Sequence, residues 1–141
     1  MKCIVVSISH MQPIEGAKLQ RVELCGFPDG AEKVVVTGNH YVVGTLGFFI
    51  PEGAIVPEKL LREMWLWNDE LGKGRLAGKQ GNRVKVRLYG TVRSEGLYYG
   101  SQYFEGGDPG GPFKTSDSWN SNWRLGHDVA PELGITFREG E

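Results

Sequence analysis

The chain is poor in cysteine, in histidine, in net charge and in long apolar runs, and each shortage removes a class of protein. Its only cysteines are Cys3 and Cys25. Each lies in an apolar stretch that reads as a strand, with no metal-ligand spacing and too few thiols for a disulfide framework. They read as buried thiols, a cross-strand pair being the alternative, in a reducing, cytoplasmic setting. The longest apolar runs fall far short of a bilayer span, and the N-terminus enters a strand pattern without a charged-then-apolar leader, so no membrane partner is expected. The three histidines, His10, His40 and His127, sit in separate stretches with no ligand or base partner at a regular spacing, so no metal is expected. His10 and His40 remain candidates for a shared rim that contacts phosphate. Net charge is −1, which excludes a generic polyanion binder of the histone type.

Catalytic spellings are missing too. Gly74 to Lys79, GRLAGK, is one residue short of a Walker A loop and is followed by Gln80 where a magnesium-binding Ser or Thr belongs. There is no G-x-S-x-G elbow, zinc-ligand pair or EF-hand loop. No catalytic residue and no cofactor is expected.

Glycine, by contrast, is abundant: 21 glycines against seven prolines mark many tight turns and strand bends, the punctuation of a small all-β fold. At 141 residues one core suffices. Strand patterns run over Cys3–Ile8, Leu19–Leu24, Val34–Asn39, Leu46–Ile50, Arg83–Gly90 and Gly96–Phe104. Pro51 and Gly53 force the bend that barrel closure needs. Pro57–Trp67 predicts the one helix, with Leu60, Leu61, Met64 and Trp65 on a single stripe that plugs a barrel end. Asp69–Asn82 reads as an extended surface loop. Residues 1–104 form the expected barrel domain and 105–122 a flexible Gly-rich linker. Residues 123–141 form a C-terminal element whose Ile135 and Phe137 need a host surface.

Charge is unevenly spread. Residues 73–93 hold seven Lys or Arg and no acid, whereas residues 1–72 carry six against nine and residues 95–141 three against eight. Within that segment Arg83, Lys85 and Arg87 alternate with Val84, Val86 and Leu88, the period-2 signature of a half-buried strand with a basic outer face. Such a row can follow the phosphates of a nucleic-acid strand. Lys73, Arg75, Lys79 and Arg93 join the row, Lys79 and Arg93 extending the track, and of the nearby aromatics Tyr89, Tyr98, Tyr99 and Tyr103, Tyr98 or Tyr99 would stack a base. The ordinary alternative is a solvated strand face above core tyrosines.

Four stretches, PIEGA (13–17), VGTLGFFIPEGAIVPEKL (43–60), VKVRLYGTVRSEGLYYG (84–100) and GHDVAPELGI (126–135), resemble, in the same order, the N-terminal domain of ATP-dependent RNA ligases in which an OB-fold precedes the nucleotidyltransferase domain. More distantly, RLYGTVRSEGL (87–97) is similar to the tRNA-binding OB domains appended to some aminoacyl-tRNA synthetases. Glu95 stands where the ligase family's S-Q-G-L has Gln, and residues 106–122 form a longer link than usual. The resemblance implies a five-stranded OB barrel with single-stranded or nicked RNA across one face. It also implies a nucleotidyltransferase domain or chain as partner. No Lys-x-Asp-Gly or Lys-x-Asn-Gly, the form in which such enzymes present the nucleotidyl-accepting lysine, occurs: Lys79-Gln80-Gly81 and Lys114-Thr115-Ser116-Asp117 do not match it. The expectation is therefore an RNA-binding module, either an excised domain or a stand-alone protein of phage origin, and not an enzyme by itself. A protein-interaction adaptor that docks a separate catalytic chain is the alternative.

Overall fold

Strand propensity and glycine punctuation build a mostly β molecule, seen here in a computed structural model that describes residues 2–16 and 18–137. The strands are β1 (Ile4–Pro13), β2 (Gln20–Cys25), β3 (Lys33–Thr37), β4 (Leu46–Pro51), β5 (Trp67–Asn68), β6 (Lys73–Gly74), β7 (Arg87–Tyr89), β8 (Val92–Ser94), β9 (Gly96–Gly100), β10 (Gln102–Phe104) and β11 (Phe113–Thr115). Two short helices, α1 (Glu58–Glu63) and α2 (Ala130–Leu133), complete it. Five strands make one antiparallel sheet in the order β3-β2-β1-β4-β9, nearly closed into a barrel, which is the all-β barrel expected. Among the described residues no helix is long and apolar enough to cross a membrane.

β1 is longer than its apolar run predicts, because its two halves serve different neighbours. Ile4–Ser7 pair with Phe49–Leu46, and the strand continues past a register shift between Ile8 and His10 to pair with β2 as far as Pro13. The bulge lets one strand bend around the corner of a small barrel. Side chains alternate between two faces, and both are buried along β1, β4 and β9. One face gathers Ile4, Val6, Ile8, Val22, Leu24, Val35, Phe49 and Tyr98. The other gathers Val5, Phe48, Ile50 and Tyr99 under Leu60, Leu61 and Met64 of the helical segment and under Trp123, Val129 and Ile135.

The last strand edge is sealed by side chains as well as backbone. Val36 N–H donates to the Ser94 hydroxyl at 3.0 Å, and that hydroxyl donates to the Gly96 carbonyl at 3.0 Å. The Glu95 N–H donates to the Val34 carbonyl at 2.9 Å. β3 is thereby tied to the β8–β9 junction without a full ladder.

Several expectations change. The helix is six residues long, not eleven, and Trp65 leaves its stripe to stand 50% exposed. Asp69–Asn82 is not an extended loop. Arg75 and Leu76 N–H groups donate to the Leu66 and Gly81 carbonyls, and Gly74 and Gly81 touch so closely that a Cβ on either would overlap the other's carbonyl. Arg83–Gly90 is not one strand: Arg83 bridges Ile55 and Ala77, Val84 is buried, and the ladder resumes only at Arg87, leaving Leu88 71% exposed.

The segments expected as linker and tail lie against the barrel. Phe113–Thr115 pair with Phe104–Gln102, Ser116 is buried, and Trp119 and Trp123 pack at 5.1 Å on the core. The C-terminal element finds its host along the start of β1: Val5 and Gly126 N–H donate to the His127 and Val5 carbonyls, and Val129 N–H to the Cys3 carbonyl. Ile135 is 4% exposed and Phe137 packs on the same core. Ala17 of the PIEGA stretch and 138–141 of the tail lie outside the described residues. Cys3 and Cys25 are both free thiols, and burial, with a smaller contribution from Asp128, pushes the Cys3 thiol pKa up.

Candidate nucleic-acid interface

The basic segment is anchored by its apolar members. Val84 N–H and C=O pair with Ala54 and Gly53, and Ala77 exchanges two hydrogen bonds with Arg83 at 3.0 Å each. Clamped on both sides, the chain then enters the β7–β8 hairpin, which Gly90 turns at φ 66°. Cross-strand partners in a hairpin share a face. Arg87 opposite Ser94 and Tyr89 opposite Val92 therefore point one way, and Leu88 opposite Arg93 the other.

Arg75, Lys85, Arg87 and Tyr89 line one cavity of about 270 Å³, floored by Val36, Leu66, Val84 and Leu97. The Arg87 guanidinium reaches the Arg75 carbonyl at 3.5 Å. A second cavity of about 250 Å³ continues from it, sharing Val36, Leu66, Tyr89 and Leu97 and ending at His40, Tyr41 and Trp65. Together they make a groove with cations at one end and aromatic rings at the other. Among the described residues, no cation of the 73–93 segment forms an ion pair with a carboxylate. Arg62, by contrast, is held by Glu58 at 2.8 Å and Asp69 at 3.1 Å. Unpaired cations beside a low-dielectric wall keep their field for a ligand.

The residues singled out in the sequence are thus divided. Lys85 and Arg87 share the groove. Lys79 lies exposed in the tight turn before Arg83, and Arg83 is half-buried, with Nη2 enclosed and without a hydrogen-bond partner among the described residues. Arg93 is exposed on the opposite side of the hairpin from Arg87. Tyr98 and Tyr99, expected to stack a base, line the second cavity but present little surface. They are 5% and 1% exposed, because both faces of β9 are covered, and Tyr98 Oη donates to the Thr45 carbonyl at 2.8 Å. Burial pushes the pKa of both phenols up, and that of Tyr41 to about 12.

Arg75 and Tyr89, both named in the sequence, line the groove, whereas sequence reasoning missed Trp65, which it placed on the buried helix stripe. Trp65 carries the available signal only in its backbone. Its φ is 61°, and among the described residues every other positive φ belongs to glycine. His40, considered above only for phosphate, stacks on Trp65 at 5.2 Å and 17°. His10 lies on β1, exposed, and does not line the groove. Among the described residues no His, Cys, Asp and Glu cluster could hold a metal ion.

No protein-family model matches the sequence, and no curated protein matches it. Solved structures do. An RNA ligase of Naegleria gruberi, as a Lys-to-Ala mutant with ATP and Mn, is 20% identical, with a TM-score of 0.66 over 99% of this chain and 36% of that one. A different, apo mutant of that ligase gives 20% identity and a TM-score of 0.65 over 97% and 35%. The ligase with PPi gives 19% and 0.64 over 99% and 35%. This chain has an OB-like fold found in those ligases, and it spans about a third of their length.

Proposed function

We propose that this chain is an RNA-binding OB module related to the substrate-binding domain of an RNA ligase, and that RNA lies in the groove lined by Arg75, Lys85, Arg87 and Tyr89. The observation that carries this is the gathering of unpaired cations at one end of an apolar, aromatic-walled groove. Lys85 and Arg87 hold phosphates, with Arg75 beside them. Lys79 and Arg93 extend the positive field without lining the groove. Arg83 serves mainly to fix the segment, its half-buried position being poorly suited to a mobile backbone.

A single strand fits better than a duplex, because a groove lined by rings accepts unstacked bases whereas a paired helix keeps its base faces stacked inside. The likeness to RNA ligases supports a partner nucleotidyltransferase unit that acts on the RNA end this module holds. Docking of another protein through Ile135 and Phe137 finds no support, since both pack on the chain's own core.

The test is a fluorescence titration with single-stranded, nicked and fully duplex RNA, using the wild type and a Lys85→Ala plus Arg87→Ala variant. Tighter binding to single-stranded or nicked RNA, lost in the variant, is expected. Equal affinity of wild type and variant for all three would overturn the proposal.

A further inference from the structure

The helix α1 ends in a way that its sequence makes costly. Met64 is its last half-helical residue, Trp65 N–H donates to the Arg62 carbonyl at 3.3 Å, and Leu66 N–H donates to the Leu61 carbonyl at 2.8 Å. That pair of bonds is the Schellman motif, whose turning residue is left-handed and is usually glycine. Here a tryptophan occupies it at φ 61°, a conformation in which Cβ crowds the following carbonyl. Glycine would make the same turn without strain, and the chain uses it at φ 73° after α2.

The strained residue is also an exposed aromatic. Half of Trp65 faces solvent. Its orientation is fixed by neighbours rather than left loose: His40 stacks at 5.2 Å and 17°, and Tyr103 meets it edge-on at 5.1 Å and 83°. Strain that persists with a rigidly held side chain at the mouth of a cavity is the signature of a site, not of packing, which an inward-facing residue would serve. The cavity of about 250 Å³ it borders is smaller than the roughly 300–1,000 Å³ that houses a whole cofactor or drug-sized molecule. It opens directly into the cationic end of the groove through Tyr89 and Leu66.

We infer that Trp65, backed by His40 and edged by Tyr103, is a stacking platform for one unpaired base of the RNA strand whose phosphates Lys85 and Arg87 hold. This rests on the RNA-binding proposal and adds a defined base subsite to it. Trp65 supplies the π surface, His40 keeps the indole upright, and the shared lining of Val36, Leu66, Tyr89 and Leu97 guides the strand from the phosphate end. Stacking is indifferent to base identity, so the subsite selects an unpaired base over a paired one rather than one base over another.

The experiment uses fluorescence anisotropy with a labelled single-stranded RNA octamer, the same octamer carrying one abasic nucleotide at each position in turn, and the variants Trp65→Gly and Trp65→Tyr. Glycine suits the left-handed turn, so Trp65→Gly removes the ring without blocking the fold, and circular dichroism verifies this. The expected result is an affinity loss of about 5- to 150-fold for Trp65→Gly at both low and high salt, the range for one stacked base. Trp65→Tyr should lose only a few-fold. One abasic position should cost the wild type a similar factor and cost Trp65→Gly nothing more. Trp65→Gly binding like the wild type, while Lys85→Ala plus Arg87→Ala fails to bind, would overturn the platform and leave the phosphate track standing. A wild type that binds no RNA would overturn both.

Discussion

Glu95 and Val34 hold each other twice: the Glu95 N–H donates to the Val34 carbonyl at 2.9 Å, and the Val34 N–H donates to Oε2 of Glu95 at 2.8 Å. The residue that departs from the ligase-like S-Q-G-L spelling thus ties β3 to the β8–β9 junction together with Ser94, its side chain standing in for a missing backbone ladder. Removing the carboxylate leaves a part-buried N–H without an acceptor, at a cost of about 1–3 kcal/mol. Glu95→Ala should therefore lower the urea midpoint clearly. Glu95→Gln, which keeps an oxygen acceptor, should lose about half of that or less. Equal midpoints for wild type and Glu95→Ala would show that β3 is held by other contacts.

The backbone around Gly74 and Gly81 sets how rigid the approach to the basic segment is. A Cβ on Gly74 would meet the Gly81 carbonyl at contact distances no side chain tolerates. Gly74→Ala must push the two turns apart, and overpacking of this kind costs about 1–3 kcal/mol. Thermal unfolding should shift down accordingly, and RNA affinity should fall with it, because Arg75 lies between Gly74 and Leu76, whose N–H groups donate to the Gln80 and Gly81 carbonyls of the same turn. An unchanged melting temperature would mean that the turn is loose after all.

Three tyrosines make the fold alkali-sensitive. Burial raises the pKa of Tyr41 to about 12 and pushes those of Tyr98 and Tyr99 up as well. In the unfolded chain a phenol ionises near pH 10. Between that pH and the raised folded values the unfolded state binds fewer protons than the folded state, so stability falls as pH rises. Below about pH 10 the contribution is complete. Ultraviolet titration near 295 nm should show these phenols ionising together with loss of the far-ultraviolet β signal above pH 10. Smooth ionisation of all five tyrosines near pH 10 in a folded protein would contradict their burial.

Much of the barrel was legible because β-strand signals are local. Val22, Leu24, Val35 and Phe48 fall on strands whose limits shift by a residue or two from their apolar runs. The basic segment was legible for the same reason, as a run of charge. What stayed hidden depends on contacts between distant stretches. Tyr98 and Tyr99 look like alternating in-and-out residues, but a helix and a C-terminal segment cover the side that alternation leaves to solvent. The Val84–Leu88 alternation likewise overstates one strand, because Arg83 is captured by Ile55 and Ala77 before the ladder restarts. Trp65 sits on the right heptad stripe for burial, and only the left-handed turn that follows Met64 throws it outward. His40 and Trp65 lie 25 positions apart, so no spacing rule joins them.

The most direct measurement of the central claim is the slope of log affinity against log salt for a single-stranded RNA. Each phosphate contact released with its counterions contributes about 0.7 to that slope. Removing Lys85 and Arg87 together should flatten it by about 1.4, whereas removing Lys33 and Arg124, outside the groove, should leave it unchanged. Parallel lines for the wild type and the Lys85→Ala plus Arg87→Ala variant would show that the cations of this groove do not hold RNA.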